Sequence, residues 1–350
     1  MAGPPENSPV RPSSRAALPQ TFAPQLPTLV KSPPTGAQWI HEIKYDGYRI
    51  GARILHNNVK LITRNGNDWT ATFPEIAAAV KELPLEEALI DGEAAVLLPD
   101  GITSFQALQG VLKHYERGRL VYFVFDLLHL DGRDLSGLPL EKRKAILRRL
   151  VGELPADAVI RYSLHFEGDG TAVLREARRM GLEGIVSKRR DLPYESGRSR
   201  NWLKTKCVKR QEFVIGGFTD PEGSRVGIGA LLIGVNQDGY LRFAGKVGTG
   251  FTSDVLTELH RRLKALARKD CPFSPKPTGS LGRTAHWVRP ELVAEVEFTE
   301  WTEDGKIRHP SFQGIREDKP ASEVTREEPE YLANVRAEER KKSNRPNNES

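Results

Sequence analysis

The chain has 350 residues, 38% hydrophobic and 28% charged, with a mean hydropathy of −0.47, a length and balance that suit two or three domains, each with its own core. No apolar stretch approaches the ~18 residues of a membrane-spanning helix, and the Pro- and Ser-rich start lacks the charged and apolar parts of an export signal. Two cysteines, Cys207 and Cys271, exclude a disulfide framework or a four-thiolate zinc module and point to a reducing cytosol, while a net charge of +6 and a pI near 9.2 favour a polyanionic partner.

Nine of the 24 prolines fall in the first 35 residues. Such a composition buries too little apolar surface to offset the entropy of ordering, so residues 1–20 are expected to be a flexible arm. Asp-Gly pairs at 46–47, 91–92, 100–101, 131–132, 169–170, 238–239 and 304–305 mark tight turns, because Gly and to a lesser degree Asp accept positive φ. Apolar runs flank the pairs at 91–92, 131–132 and 238–239 and predict hairpins there. Between them, apolar residues three and four apart predict helices over about 72–83, 139–152 and 171–180. The texture changes near 208–211. The short strands EFVIGGF, GALLIGV and YLRFAGKV, a helix over 253–268 and the strand LVAEVEFTEW then suit a small OB-type barrel. Residues 321–350 are almost wholly polar and are expected to be a charged, largely disordered tail. The class is α+β with mainly antiparallel sheet.

Several common chemistries are missing. Gly245-Lys246 is followed by Val and does not close a phosphate loop, Gly227-Ile-Gly229 precedes a strand rather than a helix, and no G-x-S-x-G or H-E-x-x-H occurs. The positive signal is Glu42-Ile43-Lys44-Tyr45-Asp46-Gly47-Tyr48-Arg49, which gathers charges around one strand end. On its own it also fits an ordinary charged hairpin. A lysine amine becomes a nucleophile when burial or nearby positive charge lowers its pKa.

Lys44-Tyr-Asp46-Gly47-Tyr-Arg49 resembles the K-x-D-G-x-R motif of the covalent nucleotidyltransferases, the superfamily of ATP-dependent DNA ligases, RNA ligases and mRNA capping enzymes. Further stretches of that superfamily's pattern follow in order: Thr63-Arg64-Asn65-Gly66, Asp91-Gly92-Glu93, the run ending Phe125-Asp126, Glu183-Gly184-Ile-Val-Ser-Lys188, Trp202-Leu-Lys204-Thr-Lys206 and Arg316-Glu-Asp318-Lys319. Within it, HEIKYDGYR, TRNGNDWT, FDLLHLDGRDL and NWLKTKC are most similar to the ligase module of bacterial LigD-type end-joining enzymes. The chain is therefore expected to be such a ligase portion standing alone.

The resemblance implies a nucleotidyltransferase (ATP-grasp-like adenylation) domain over 21–208, with antiparallel sheets and packed helices, and an OB-fold β-barrel over 209–320. It implies that Lys44 takes AMP from ATP, passes it to a DNA 5′-phosphate, and that a 3′-hydroxyl then displaces it. Asp46, Lys204 and Lys206 join Lys44 in the catalytic set, the two lysines neutralising the α-phosphate. Glu42, Arg49, Arg64, Glu93, Phe125, Arg198, Lys204, Lys206, Arg316 and Lys319 are expected to hold the nucleotide, with Phe125 stacked on adenine. Glu93 and Glu183 are the expected ligands of Mg2+ or Mn2+. An RNA ligase or capping-type enzyme is the nearest alternative, and a non-catalytic protein holding DNA ends a more distant one. NAD is disfavoured as donor, because the upstream nicotinamide-recognition domain and the cysteine-rich module of NAD-dependent ligases have no counterpart here. Bacterial Ku is an inherited partner expectation, with a cytoplasmic, nucleoid-associated monomer and no membrane. Residues 187–210 carry nine Lys/Arg against two Asp/Glu, and with Tyr194 and Trp202 among them they predict a surface that tracks a nucleic-acid backbone.

Overall fold

The computed structural model describes residues 15–113, 118–152, 154–155, 157–221 and 226–327. Two sheets dominate the first part of the chain. One runs in the order Gln25–Leu29, Gly197–Lys206, Gly184–Arg189, Trp39–Ile43, His165–Glu167. The other runs Asn58–Thr63, Tyr48–Leu55, Glu87–Leu97, Arg119–Leu130, Arg133–Asp134, with Ile160–Tyr162 added in parallel against Arg119–Leu130. Alternation decides which face is dry. Tyr48, Ile50, Ala52 and Ile54 join Ile90, Val124 and Leu127 in a core closed by Phe73, Ile76, Val80, Phe105, Leu108, Leu147 and Val151. These last come from the segments around three helices, Pro74–Lys81, Phe105–Leu112 and Leu140–Val151. Arg49, at an odd position, is left for the opposite face.

The second unit is an antiparallel sheet ordered Tyr240–Val247, Leu231–Gln237, Lys209–Phe218, Val293–Phe298, Ser311–Ile315. Leu256, Leu259 and Leu263 of the helix Ser253–Ala265 share its core with Phe213, Ile233 and Phe312. The architecture is the expected α+β pairing of a nucleotidyltransferase domain and an OB-fold. Only Cys207 and Val208 separate the strand Gly197–Lys206 of the first unit from Lys209–Phe218 of the second. The units also meet where the Tyr48 hydroxyl donates to Ile315 O at 3.2 Å and Asn65 Nδ2 donates to Asp318 O at 2.5 Å.

Helices lie at Pro74–Lys81, Leu140–Val151, Gly170–Arg179 and Ser253–Ala265, within two or three residues of the periodic segments. The helix Phe105–Leu112, capped by the Ser104 side chain on Ala107 N at 3.2 Å, and the strand Gln25–Leu29 are additions to the expected elements. The Asp-Gly signal divides by context. Asp131-Gly132 and Asp238-Gly239 turn hairpins with positive φ throughout, whereas Asp91-Gly92 lies inside the strand Glu87–Leu97, beside a register shift. No hairpin forms at 91–92, because both flanking runs pair with neighbouring strands. Asp169 instead caps the helix Gly170–Arg179 through Thr171 N at 2.9 Å.

Of the expected flexible arm, residues 1–14 lie outside the described residues. Residues 15–20 are held against the first unit: Arg15 pairs with Glu87 at 2.8 Å, Arg53 Nε donates to Pro19 O at 2.9 Å, and Leu18 is buried. Of the expected tail, residues 328–350 lie outside the described residues, and 321–327 pack on the second unit with Val324 fully buried. No helix among the described residues is long and apolar enough to cross a membrane.

Candidate active site

Three neighbouring strands place the central side chains on one sheet face. Glu42 lies opposite Val186 and Val186 opposite Lys204; Ile40 lies opposite Lys188 and Lys188 opposite Trp202; Gly184 lies opposite Lys206. Because side chains repeat with period two, Glu42, Lys188, Trp202, Lys204 and Lys206 share that face. Lys44 continues the row just past the strand end, anchored by its backbone N on Gly184 O at 3.0 Å. The other sheet contributes Arg49, opposite Glu93, and Phe125, which the pairing skips because Asp91 opposes Asp126 while Gly92 opposes Val124. That bulge aims the Phe125 ring into the gap between the sheets.

The result is a cavity of about 170 Å³ lined by Glu42, Lys44, Tyr45, Arg49, Glu93, Phe125, Lys188, Trp202 and Lys204. A smaller polar cavity of about 100 Å³ adjoins it, sharing Lys44, Tyr45, Glu93 and Lys204 and adding Asp46, Glu183, Lys206, Arg210, Arg316 and Glu327. The Lys44 amine lies at the junction, 2.5 Å from Glu183 Oε2. Burial opposes its charge, but the Glu183 carboxylate holds the ammonium above its ordinary pKa. Burial raises Glu183 in turn, and Lys44, Lys206 and Arg210 outweigh it and hold the carboxyl low.

At the inner end, Glu42 accepts from Lys144 at 2.7 Å, Lys188 at 2.8 Å and Ser163 at 3.0 Å. Burial alone would raise its pKa; the two lysines bring it down to about 2. Lys188 lies 4.1 Å from the ring centroids of both Phe125 and Trp202, and burial lowers its pKa to about 8 against the pull of Glu42. Arg49 is bidentate to Asp91 at 2.5 and 2.7 Å, with its guanidinium 4.4 Å from the Phe125 centroid. The Glu93 carboxylate makes no hydrogen bond or ion pair among the described residues, and burial pushes it up to about 7 despite Arg49 and Lys44.

The structure thus brings Glu42, Lys44, Arg49, Glu93, Phe125, Glu183, Lys204 and Lys206 together. Asp46 borders the polar cavity, but its carboxylate accepts from Phe105 N at 2.9 Å, at the start of a helix, and from Arg210 of the second unit. Arg316 borders the same cavity, bidentate to Asp318 at 2.9 and 2.7 Å and 3.4 Å from Gly47 O. Three expected nucleotide contacts are directed elsewhere. Arg64 pairs with Glu323, Arg198 donates to Pro27 O at 2.7 Å and is exposed, and Lys319 reaches Glu212 at 3.2 Å. The basic run is also less outward than its composition implies. Lys188, Lys204, Lys206 and Arg210 turn inward, Trp202 is 2% exposed, and the Tyr194 hydroxyl sits between Asp91 and Gln25 N, so neither ring is a surface stacking platform.

No individual role is legible in the sequence for Lys144, Lys188, Asp91, Arg210 or Glu327. For Lys144 a signal exists: Leu140, Lys144, Leu147 and Val151 follow the apolar helix spacing, and all four are buried. The motif glycine has a steric reason. A Cβ at Gly47 would stand 2.2 Å from Ala94 O, so Gly47→Ala must displace the loop after Lys44, with an expected cost of about 1–3 kcal/mol read as a lower Tm.

Residues 22–206 match the model of the ATP-dependent DNA ligase domain, and residues 224–319 that of the ATP-dependent DNA ligase C-terminal region. A multifunctional non-homologous end joining protein LigD of Pseudomonas aeruginosa is 42% identical over 90% of this chain and 38% of its own length. Its namesake in Mycobacterium tuberculosis is 39% identical over 83% of this chain and 38% of its own length. The chain therefore spans well under half of these curated relatives. A solved mycobacterial DNA ligase D complexed with ATP and MES is 35% identical, with a TM-score of 0.62 over 86% of this chain and 98% of that one. With both halves of the fold matched by family models and the motif lysine set into a cavity between two sheets, the chain belongs to the ATP-dependent DNA ligase family.

Proposed function

We propose that this chain seals DNA breaks bearing a 3′-hydroxyl and a 5′-phosphate, using ATP through a lysyl-AMP intermediate, in bacterial end joining. The observation that carries the reading is the Lys44 amine at the junction of two cavities, on the sheet face that also bears Lys204 and Lys206. In the first step Lys44 gives up a proton, with Glu183 the nearest acceptor, and its nitrogen attacks the α-phosphorus of ATP. A nitrogen–phosphorus bond forms, the α–β phosphoanhydride bond breaks, and pyrophosphate leaves. Lys204 and Lys206 neutralise charge that develops on the α-phosphate. The DNA 5′-phosphate then takes the AMP and frees Lys44, and the 3′-hydroxyl displaces AMP to form the phosphodiester.

Glu42, Lys188 and the Phe125 and Trp202 rings offer hydrogen bonds and flat apolar faces suited to a base at the inner end. Arg316 is placed to meet the outer phosphates, and Asp46 serves by fixing the loop after Lys44. Arg64, Arg198 and Lys319 line neither cavity and keep the partners given above. Glu93 and Glu183 are the carboxylates available to Mg2+ or Mn2+, and Glu93 fits that part: it is half-buried and its carboxylate has no hydrogen-bond or ion-pair partner among the described residues, whereas Glu183 is held by Lys44. No group of three or more metal-ligating side chains exists among the described residues. A small hard cation completes its shell with substrate phosphate and water. Such an ion, when bound, neutralises phosphate charge.

Labelled ATP with magnesium should give an acid-labile AMP adduct that maps to Lys44 and chases into sealed nicked DNA. Preference for GTP, or for nicked RNA, would turn the reading toward a capping enzyme or RNA ligase; no adduct at all would leave the end-holding scaffold. The exposed cations call for phosphate-driven affinity. Binding to nicked duplex should weaken by about a hundredfold between roughly 50 and 200 mM salt if four phosphates are contacted, and a flat response would count against it. The proposal includes bacterial Ku as partner and a monomer at the nucleoid; its place in end joining is supported by relatives named for non-homologous end joining. A gel assay of nicked, cohesive and blunt ends with and without Ku tests this.

A further inference from the structure

After the last strand of the second unit, residues 320–327 run back toward the catalytic face. The strap is pinned along its length. Asn236 donates from its backbone N to Val324 O at 2.8 Å and from its side chain to Ala321 O at 2.7 Å. Gln211 grips the end twice, donating to Thr325 O at 3.1 Å and accepting from Glu327 N at 3.0 Å. These bonds deliver the Glu327 carboxylate to the two strand lysines. Oε1 is 2.8 Å from Lys204 Nζ, and Oε2 is 2.8 Å from Lys206 Nζ. Both lysine side chains are nearly enclosed, at 12% and 13% exposure, so this is not a loosely held surface pair.

A carboxylate with one oxygen on each of two ammonium groups occupies the position that two non-bridging oxygens of a phosphate would take. The two lysines form one such seat, and it cannot hold both anions. We propose that Glu327 is an internal competitor for this phosphate seat, filling it in the nucleotide-free protein and yielding it when ATP binds. The inference rests on the ligase reading for the identity of the incoming phosphate. It assigns Glu327 a role in setting ATP affinity in the first step: the strap keeps two buried cations neutralised between turnovers, and its removal makes the seat easier to fill.

The test is Glu327→Gln, which keeps shape and leaves the backbone N bond to Gln211 intact. Initial rates of lysine adenylation should show KM for ATP falling about three- to tenfold with kcat within twofold, the range expected when one well-formed ion-pair competitor is lost. Glu327→Asp, too short to span both lysines, should lie between. An unchanged or higher KM would overturn the proposal and make Glu327 a structural prop. Titration calorimetry of ATP and magnesium provides a second reading without turnover. Lys44→Arg/Glu327→Gln should bind ATP more tightly than Lys44→Arg by the same factor, and equal or weaker binding would overturn the proposal. If wild type binds ATP but forms no adduct at Lys44, the ligase reading fails while the calorimetry still decides the competition.

Discussion

Lys44→Arg is expected to abolish the AMP adduct, lowering its yield by at least about a thousandfold, with Tm almost unchanged. Arginine keeps a cation beside Glu183 and so preserves the ion pair at 2.5 Å, but a guanidinium does not deprotonate in a protein and has no free lone pair with which to attack. The same ion pair sets the pH dependence. Because Glu183 holds the Lys44 ammonium above its ordinary pKa against burial, the reactive amine is a minor species near neutrality, and the first step should accelerate as pH rises from about 6 to 9. Quench-flow measurement of adduct formation across that range checks the sign. A rate that falls with pH would mean that the lysine is already deprotonated and that another group titrates.

Glu42→Ala is the substitution with the largest expected effect on stability. It removes the carboxylate shared by two buried ammonium groups, Lys144 at 2.7 Å and Lys188 at 2.8 Å, and breaking a buried pair from one side costs about 3–5 kcal/mol. For a protein of this size that lowers Tm by on the order of 10 °C. Lys188 softens the loss, since burial already brings its pKa to about 8 and without Glu42 it goes neutral. The sign of the acid response follows from the depressed Glu42 pKa of about 2. Its contribution is fully present above the unfolded value near 4.5, and is lost as pH falls from there through about 2. The Tm difference between wild type and Glu42→Ala should therefore shrink in acid. A constant difference down to pH 2 would show that the carboxylate carries no such linkage.

Much of this arrangement is legible in the sequence, for identifiable reasons. The spacing in Leu140–Val151 and Ser253–Ala265 reports amphipathic helices, and the period of two along a strand is enough to put Lys204 and Lys206 on one face. The pairing of Glu42 with Lys144 is different: the partners are 102 residues apart, and local pattern cannot say that a helix lysine turns inward to meet a strand glutamate. Asp91-Gly92 misleads for a related reason. The dipeptide has turn chemistry, but Asp91 sits within a strand, where Arg49 and Tyr194 satisfy its carboxylate. Arg64 and Arg198 show the limit of assigning a guanidinium by motif, since whichever acceptor the fold brings nearest takes it. Glu327 lies in a stretch whose polarity reads as tail, and only the grip of Gln211 shows that it is ordered.

The two-residue connection at Cys207 and Val208 ties the surroundings of Lys44 to the joint between the units. Lys206 on one side donates to the carbonyl of Arg210 on the other at 2.5 Å, and Arg210 in turn reaches back to Asp46, two residues from Lys44. A joint this short has no slack, so rotating one unit against the other must break those bonds together and carry the lysine's surroundings with it. The joint and the setting of Lys44 are thereby coupled. A chain with a longer tether here would gain freedom to swing, and would loosen the coupling between the joint and the lysine.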